Sequence, residues 1–230
     1  MPTDMNVGIP DDDKLLGYLT MARKLGFTGL VFQEEGDTPL VRMESGMNLF
    51  RRLTLKGRRL QDLKKEVKQN RERVVVISAP LRGVDTANWA VEDTRVDLLT
   101  VENASEGPSL RDTTARLASK TGTALEIVIT PLLNSSGLMR SKIIKNYKEI
   151  ISVAMDSGMS VILSSGATDA IKMRAPRALC YIGLLLGMNW VMAKKAVYET
   201  PDFILTRNLK RLSPDYVAPG IELVRRSDER

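Results

Sequence analysis

The stretch that decides the fold is Val74-Val75-Val76-Ile77, four consecutive β-branched residues in a chain of 230. An uninterrupted run of this kind is typical of a parallel strand buried on both faces, whereas a strand with one solvated face alternates apolar and polar residues. Parallel strands require crossover connections, which are usually helices. The run therefore predicts an α/β protein.

Similar short runs recur along the chain and alternate with amphipathic segments. The predicted strands span residues 6–9, 29–32, 50–55, 74–78, 96–101, 124–129, 160–164 and 221–224. The predicted helices span residues 59–70, 85–94, 109–120, 139–157, 174–186, 190–198 and 201–211, after a first helix that opens on the acidic residues 11–13. About eight strand–helix units favour a closed (β/α) barrel over an open sheet, which stays an alternative. We expect a single barrel domain over residues 1–230.

Composition narrows the function classes. Cys180, the only cysteine, lies in an apolar run, and the chain has no histidine that could activate it, so we expect a buried core thiol. The lack of histidine also disfavours most hydrolytic barrels with metal centres, although carboxylate-only magnesium sites remain open. No apolar run reaches the roughly 18 residues of a membrane span, and residues 1–13 do not resemble a signal peptide. We expect a cytoplasmic protein.

The net charge of +6 is unevenly distributed. Residues 51–73 carry ten basic and three acidic side chains, and residues 139–230 carry 15 basic and nine acidic side chains. Because lysine and arginine gain affinity for nucleic acids by neutralising phosphates, two basic blocks suggest a surface for a polyanion. A solvated basic face is the other interpretation. Aromatic residues are nearly absent from the first block, which favours contact with structured RNA over base stacking there.

A loop of small residues, Ser164-Ser165-Gly166-Ala167-Thr168-Asp169, follows the predicted strand 160–164. Small residues let backbone N–H groups approach an oxyanion, and late strand–helix loops of barrels often bind phosphate. The candidate phosphate loop consists of Ser164, Ser165, Gly166 and Thr168. The alternative is a tight turn that Asp169 caps.

Three carboxylates, those of Asp4, Asp97 and Glu126, lie in or beside predicted strands. A buried charge without compensation costs several kcal/mol, so each carboxylate either pairs with an inward arginine or lysine or serves a functional site. A catalytic interpretation would use them as metal ligands or acid–base groups. We favour pairing, because no histidine or cysteine ligand accompanies them.

Several strings together resemble the ribonuclease P protein component 3 family, the archaeal counterpart of a subunit of the eukaryotic nuclear enzyme. The resemblance is strongest where the loop 164–169 is followed by Met173-Arg174-Ala175-Pro176-Arg177. It extends over essentially the whole chain through Asp4-Met5-Asn6-Val7, Trp89-Ala90-Val91-Glu92, Val96-Asp97-Leu98-Leu99, Ala124-Leu125-Glu126-Ile127, Arg207-Asn208 and Tyr216-Val217-Ala218-Pro219-Gly220.

The resemblance implies a TIM-like barrel related to metal-dependent phosphoesterase barrels, without their metal site, without a cofactor and without catalytic residues of its own. It implies a subunit of ribonuclease P, the RNA-based endonuclease that removes the 5′ leader of precursor tRNA. The implied partners are the ribonuclease P RNA, a smaller subunit of ferredoxin-like fold and other protein subunits, and no membrane.

The predicted mechanism is phosphate neutralisation by cations, for which arginine is well suited because it binds phosphate in a bidentate manner. The residues expected to contact RNA are Arg82, Lys172, Arg174, Arg177 and Arg207. A stand-alone metal-dependent phosphoesterase, with Asp4, Asp97 and Glu126 gathered around divalent ions, is the alternative function. An assembly scaffold that binds proteins through its helix faces is a third.

Overall fold

The computed structural model describes residues 2–8, 12–33, 39–43, 46–102, 109–218 and 221–222. The strands are β1 (Thr3–Val7), β2 (Gly29–Gln33), β3 (Leu40–Arg42), β4 (Asn48–Thr54), β5 (Val76–Pro80), β6 (Leu98–Val101), β7 (Ala124–Val128), β8 (Val161–Ser164), β9 (Tyr216–Ala218) and β10 (Ile221–Glu222). The α-helices are α1 (Asp12–Leu25), α2 (Leu60–Asn70), α3 (Val84–Glu92), α4 (Asp112–Thr121), α5 (Thr130–Asn134), α6 (Gly137–Asp156), α7 (Pro176–Leu185), α8 (Trp190–Lys194) and α9 (Thr200–Arg211). A 3-10 turn (Ala170–Lys172) precedes α7, and a π-helical turn (Lys195–Glu199) joins α8 to α9.

Seven parallel strands form a barrel in the order β1-β2-β4-β5-β6-β7-β8, and β3 adds to β4 in antiparallel orientation. The barrel closes where Val7 bridges Ala167 in parallel and the N–H of Gly8 donates to the Ala167 carbonyl at 2.8 Å. The predicted TIM-like (β/α) barrel is thus confirmed, with seven barrel strands where the sequence suggested about eight.

The stretch around Val74-Val75-Val76-Ile77 shows why the run is continuous. Val76 lies in an apolar cluster inside the barrel, whereas Ile77 lies in the cluster between the barrel and its helices, and both are fully buried. Successive side chains of a strand point to opposite faces, and in β5 each face meets a different core. Both faces therefore require apolar residues.

Helix α9 covers the end of the barrel at which the strands begin. Ile204 and Leu205 join the interior cluster, and the Asn208 amide donates to the Val75 carbonyl at 2.9 Å. Val75 directly precedes β5. At the opposite end the strands lead into the following helices, and barrel enzymes generally carry their functional residues at that end.

Two strand predictions need correction. The segment 221–224 is not a barrel strand, because Ile221 and Glu222 pair with β9 in a separate antiparallel sheet. The first strand begins at Thr3 instead of residue 6, because Thr3 and Asp4 pair with β2 and are buried despite their polarity. Residues 9, 11, 219, 220, 223 and 224 and the side chains of residues 12 and 13 lie outside the described part.

The predicted helices are confirmed, with small shifts at their ends. The longest, predicted over 139–157, spans Gly137–Asp156, and the segment 190–198 divides into α8 and the π-helical turn. The short elements β3 and α5 had no clear signature in the sequence. Within the described ranges, none of the helices has the length and apolarity that a membrane crossing requires.

Candidate nucleic-acid interface

The interior of the barrel contains a buried ion pair. Both terminal nitrogens of Arg52 donate to the two oxygens of Glu126 at 2.9 Å, in a bidentate arrangement. Arg52 also donates to the Met5 carbonyl at 2.6 Å and to Ser78 Oγ at 2.7 Å, and Thr100 donates to Glu126 at 2.7 Å. The predicted pairing of Glu126 with an inward cation is confirmed. Both oxygens of Glu126 are therefore engaged within the barrel.

Asp97 is paired as well, at the end of the barrel where the strands begin. Its two oxygens accept from Arg71 at 2.8 Å and from Arg207 at 2.7 Å, and Oδ2 also accepts from the Ile77 N–H at 2.9 Å. Burial lowers the pKa of Arg207, against the opposing attraction of Asp97. This cluster connects α2, the start of β6 and α9 through one fully buried carboxylate.

Asp4 is buried without a cation among its described partners. Its Oδ1 accepts from the Ser165 N–H at 3.0 Å and from the Asn6 N–H at 3.3 Å. Its Oδ2 has no hydrogen-bond partner in the described part of the chain. Burial raises the pKa of Asp4 from 3.8 to about 6, although the hydrogen bonds from Ser165 and Asn6 oppose the shift.

The candidate phosphate loop follows β8 and contacts β1, so it lies at the rim where the strands end. Its amides are largely committed within the protein. The N–H of Ser165 donates to Asp4 at 3.0 Å, that of Gly166 to the Asn6 carbonyl at 2.8 Å and that of Ala167 to Ser165 Oγ at 3.1 Å. The first two bonds hold the loop after β8 against β1, the third stabilises the turn itself, and none of the three N–H groups is free for an oxyanion.

The remaining geometry of the loop is that of a tight turn. Gly166 has φ +60°, and a Cβ there would approach Val128 Cγ1 to 2.1 Å, so this position requires glycine. Asp169 caps the following 3-10 turn by accepting from the Ile171 N–H at 3.2 Å. Ser164 is fully buried and Thr168 is exposed. Of the four predicted loop residues, Thr168 is the one whose side chain is accessible to a ligand.

Three of the five predicted RNA contacts follow this loop. Arg177 is exposed at the start of α7, and Lys172 is partly exposed. Arg174 is partly buried, and its guanidinium donates to the carbonyls of Met173 at 2.8 Å and Ile171 at 3.2 Å. All three residues follow β8 in the chain, between the loop and the first turn of α7.

The fourth, Arg82, lies on the same rim after β5. Its guanidinium is 3.9 Å from Glu102, and both side chains are about half exposed. Arg82 also lines a cavity of about 430 Å³ together with Arg58, Gly57 and Thr86. Arg58 belongs to the basic block 51–73 but is not among the five residues predicted to contact RNA. One signal in the sequence could have identified Arg58: it follows one predicted strand, as Arg82 follows the next.

The fifth, Arg207, is separate from the other four. It lies on α9 at the opposite end of the barrel, where Asp97 and the Gly122 carbonyl, at 3.3 Å, hold its guanidinium. Its side chain is 18% exposed. The five cations therefore do not form one surface.

The basic block 51–73 also needs correction as a continuous surface. Arg52 is fully buried in the barrel and Arg71 pairs with Asp97. Alternation along β4 turns Arg52 inward, whereas Arg58 and Arg59 lie in the exposed connection to α2. Lys64, Lys65 and Lys68 are exposed on α2.

Comparison with known proteins identifies the family to which this barrel belongs. A model of the family described as "RNase P subunit p30" matches residues 1–213. The chain belongs to this family.

Curated members of the RNase P subunit p30 family resemble the chain over nearly their whole length. Ribonuclease P protein component 3 of Methanosarcina barkeri is 25% identical over 226 residues, which are 96% of this chain and 94% of that protein. The protein of the same name from Methanococcoides burtonii is 27% identical over 208 residues, which are 89% and 86% of the two chains.

A solved structure supports the fold of this family member. A chain in the cryo-EM structure of archaeal ribonuclease P with mature tRNA aligns with 99% of this chain over 100% of its own length, with a TM-score of 0.80 and 21% identity. At this identity the likeness establishes the shared barrel.

Asp97 and Glu126 are not brought together, as the phosphoesterase alternative would require. Asp97 lies at the beginning of the strands and Glu126 inside the barrel, each paired with arginine. In the described ranges, no three side chains of the types His, Cys, Asp and Glu gather as a potential metal site. Cys180 is buried, as predicted, and its Sγ lies 3.7 Å from the Ala193 carbonyl.

Proposed function

We propose that this chain is a protein subunit of ribonuclease P and helps the catalytic RNA to remove the 5′ leader of precursor tRNA without cutting RNA itself. The observation that carries this proposal is the family match over residues 1–213. The polar interior supports it, because Glu126 and Asp97 are engaged by arginines and are not free to act on a substrate.

The rim supplies the positive charge that this function requires. Arg58 and Arg82 line one cavity, and Lys172, Arg174 and Arg177 follow the loop after β8. Folding an RNA tightly brings phosphates together, and cations that neutralise them release condensed counterions. The chain thereby stabilises the compact form of its RNA partner.

We assign Arg207 a structural role in this mechanism. Its charge is compensated by Asp97, and its side chain fixes α9 to the barrel. The predicted phosphate loop acts mainly by positioning Lys172, Arg174 and Arg177, with the Thr168 hydroxyl as its one accessible polar side chain.

The protein partners follow from the family resemblance. We propose that the chain acts in the cytoplasm beside a smaller subunit of ferredoxin-like fold and further protein subunits. Co-purification of the reconstituted proteins tests this part of the proposal.

The test of the RNA-binding role compares two sets of arginines. The double variant Arg58→Ala/Arg82→Ala should weaken binding to ribonuclease P RNA and slow cleavage of precursor tRNA, because it removes both guanidinium groups from the rim cavity. Arg116→Ala is the matched control, since Arg116 is 67% exposed but pairs with Asp112 on α4. Equal RNA affinities for the double variant and the wild type would contradict the proposal.

A further inference from the structure

A second cavity lies between α7, α8 and the π-helical turn. Its volume is about 390 Å³, which is within the range of small-ligand sites. It is lined by Arg177, Cys180, Trp190, Lys194, Tyr198 and Glu199.

Aromatic and cationic side chains are combined around this cavity. The rings of Tyr181 and Trp190 have centroids 5.5 Å apart and planes inclined by 48°. Lys194 Nζ lies 5.6 Å from the Trp190 centroid, and the Arg177 guanidinium lies 6.0 Å from the Tyr181 centroid. Trp190 is 38% exposed, so part of its π-surface is accessible to a ligand, with the Lys194 cation over the ring.

Two backbone features create this arrangement. Gly183 lets α7 and α8 approach closely, because a Cβ there would lie 3.1 Å from both Ala193 Cβ and Leu163 Cδ1. The π-helical turn Lys195–Glu199 then brings Tyr198 and Glu199 to the cavity. Turns of this kind are rare in proteins, and those that occur often lie at functional sites.

We propose that this cavity binds one unpaired guanosine nucleotide of RNA. Trp190 offers a face on which the base can stack, and Arg177 and Lys194 offer charge to its phosphate. Glu199 can accept two hydrogen bonds from the N1–H and N2–H groups of guanine, and guanine alone among the four bases offers two adjacent donors of this kind. The choice of RNA as the ligand rests on the proposed function, in which the chain binds RNA.

A protein partner is the competing occupant. Leu184, Leu185, Val191 and Met192 are exposed on the same pair of helices and would suit an apolar contact. The cavity itself is lined by two cations and a carboxylate around aromatic rings, which fits a nucleotide better. The test must therefore distinguish protein docking from nucleotide binding.

The test measures the binding of two fluorescein-labelled hexanucleotides, UUGUUU and UUUUUU, to the full-length chain by fluorescence anisotropy. We expect UUGUUU to bind at least five times more tightly. Trp190→Ala should weaken its binding roughly tenfold, as stacking of one base contributes. Glu199→Gln should remove the preference for guanosine, because the amide offers one acceptor in place of two.

Met192→Ala is the matched control, since Met192 is equally exposed on α8 but lies outside the cavity lining. It should leave both affinities unchanged. Wild-type affinity of Trp190→Ala for UUGUUU overturns the inference, as does equal weakening by Trp190→Ala and Met192→Ala. Loss of protein-subunit capture by Trp190→Ala, with unchanged affinity for UUGUUU, also overturns it and indicates protein docking.

Binding to ribonuclease P RNA on the same preparations separates the two proposals. If the wild type binds this RNA but does not distinguish the two hexanucleotides, the guanosine site is refuted and the proposed function stands. If the wild type binds neither ribonuclease P RNA nor the hexanucleotides, the proposed function fails as well.

Discussion

At the scale of single residues, the barrel interior depends on charge compensation. Glu126 and Arg52 are both fully buried, and two hydrogen bonds join their charged groups. Removing one partner leaves an uncompensated charge in the core, which costs more than removing both.

Glu126→Ala should therefore lower the free energy of unfolding by about 3–5 kcal/mol, as for other broken buried pairs. The double variant Arg52→Met/Glu126→Leu should recover much of this loss, because no charge remains buried. Urea denaturation of the two variants measures the difference. A double variant less stable than Glu126→Ala would show that the pair contributes through more than compensation.

Asp4 gives the chain a predictable pH dependence. Burial raises its pKa from 3.8 to about 6, so the folded state binds the proton more tightly than the unfolded state does. Proton binding by Asp4 contributes fully to the free energy of unfolding below pH 4, and this contribution is lost as the pH rises through about 6. A difference of this size corresponds to about 3 kcal/mol.

The measurement compares the unfolding free energies of the wild type and Asp4→Asn between pH 4 and 7. Groups other than Asp4 cancel in the difference. The wild type should lose about 3 kcal/mol relative to the variant as the pH rises, in keeping with the shifted pKa. A constant difference across this range would show that the Asp4 carboxyl is ionised in the folded state.

At the scale of elements, the loop after β8 is fixed by one glycine. Gly166 and Gly137 both have positive φ, but only Gly166 has a neighbour where a Cβ would lie, Val128 Cγ1 at 2.1 Å. Gly137→Ala should cost about 1–2 kcal/mol for the left-handed conformation alone. Gly166→Ala should cost about 2–5 kcal/mol, because steric overlap adds to that strain. Thermal unfolding compares them, and equal losses would mean that Val128 moves away freely.

The elements also show how far the sequence could predict the structure. Regular patterns such as the apolar stripe of α6 and the β-branched run that leads into β5 predict their elements well, because the spacing of apolar residues reflects whether one or both faces are buried. The prediction of an eighth barrel strand was wrong, since Ile221 and Glu222 pair with β9 in antiparallel orientation. A strand of two residues is too short to show a periodicity that would distinguish the two arrangements.

The candidate site was harder to predict than the fold. The pairing of Asp97 with both Arg71 and Arg207 joins residues 26 and 110 positions apart, and no local pattern encodes such contacts. Arg207 consequently carried a functional expectation, although its position on α9 suits a structural role. Arg82, in contrast, follows a well-predicted strand, and barrel topology places such residues on the functional rim.

At the scale of the whole molecule, the rim cations should determine how RNA binding responds to salt. Each phosphate contact contributes about −0.7 to −0.9 to the log–log slope of affinity against salt concentration. The quadruple variant Arg82→Ala/Lys172→Ala/Arg174→Ala/Arg177→Ala should therefore reduce the magnitude of the slope by about 3. Arg207→Ala should leave it unchanged. Filter binding to ribonuclease P RNA measures both, and a larger effect of Arg207→Ala would assign the contact to the opposite end of the barrel.

The proposed function requires that this barrel gives positive charge to a catalytic RNA and does not break the bond itself. The rate of precursor tRNA cleavage by the reconstituted enzyme tests this requirement, with wild-type chain or the quadruple variant, over a series of magnesium concentrations. We expect the variant to be slow at low magnesium and to approach the wild-type rate at high magnesium, because the added ions neutralise the same phosphates. Equal rates for the two chains at every magnesium concentration would contradict it.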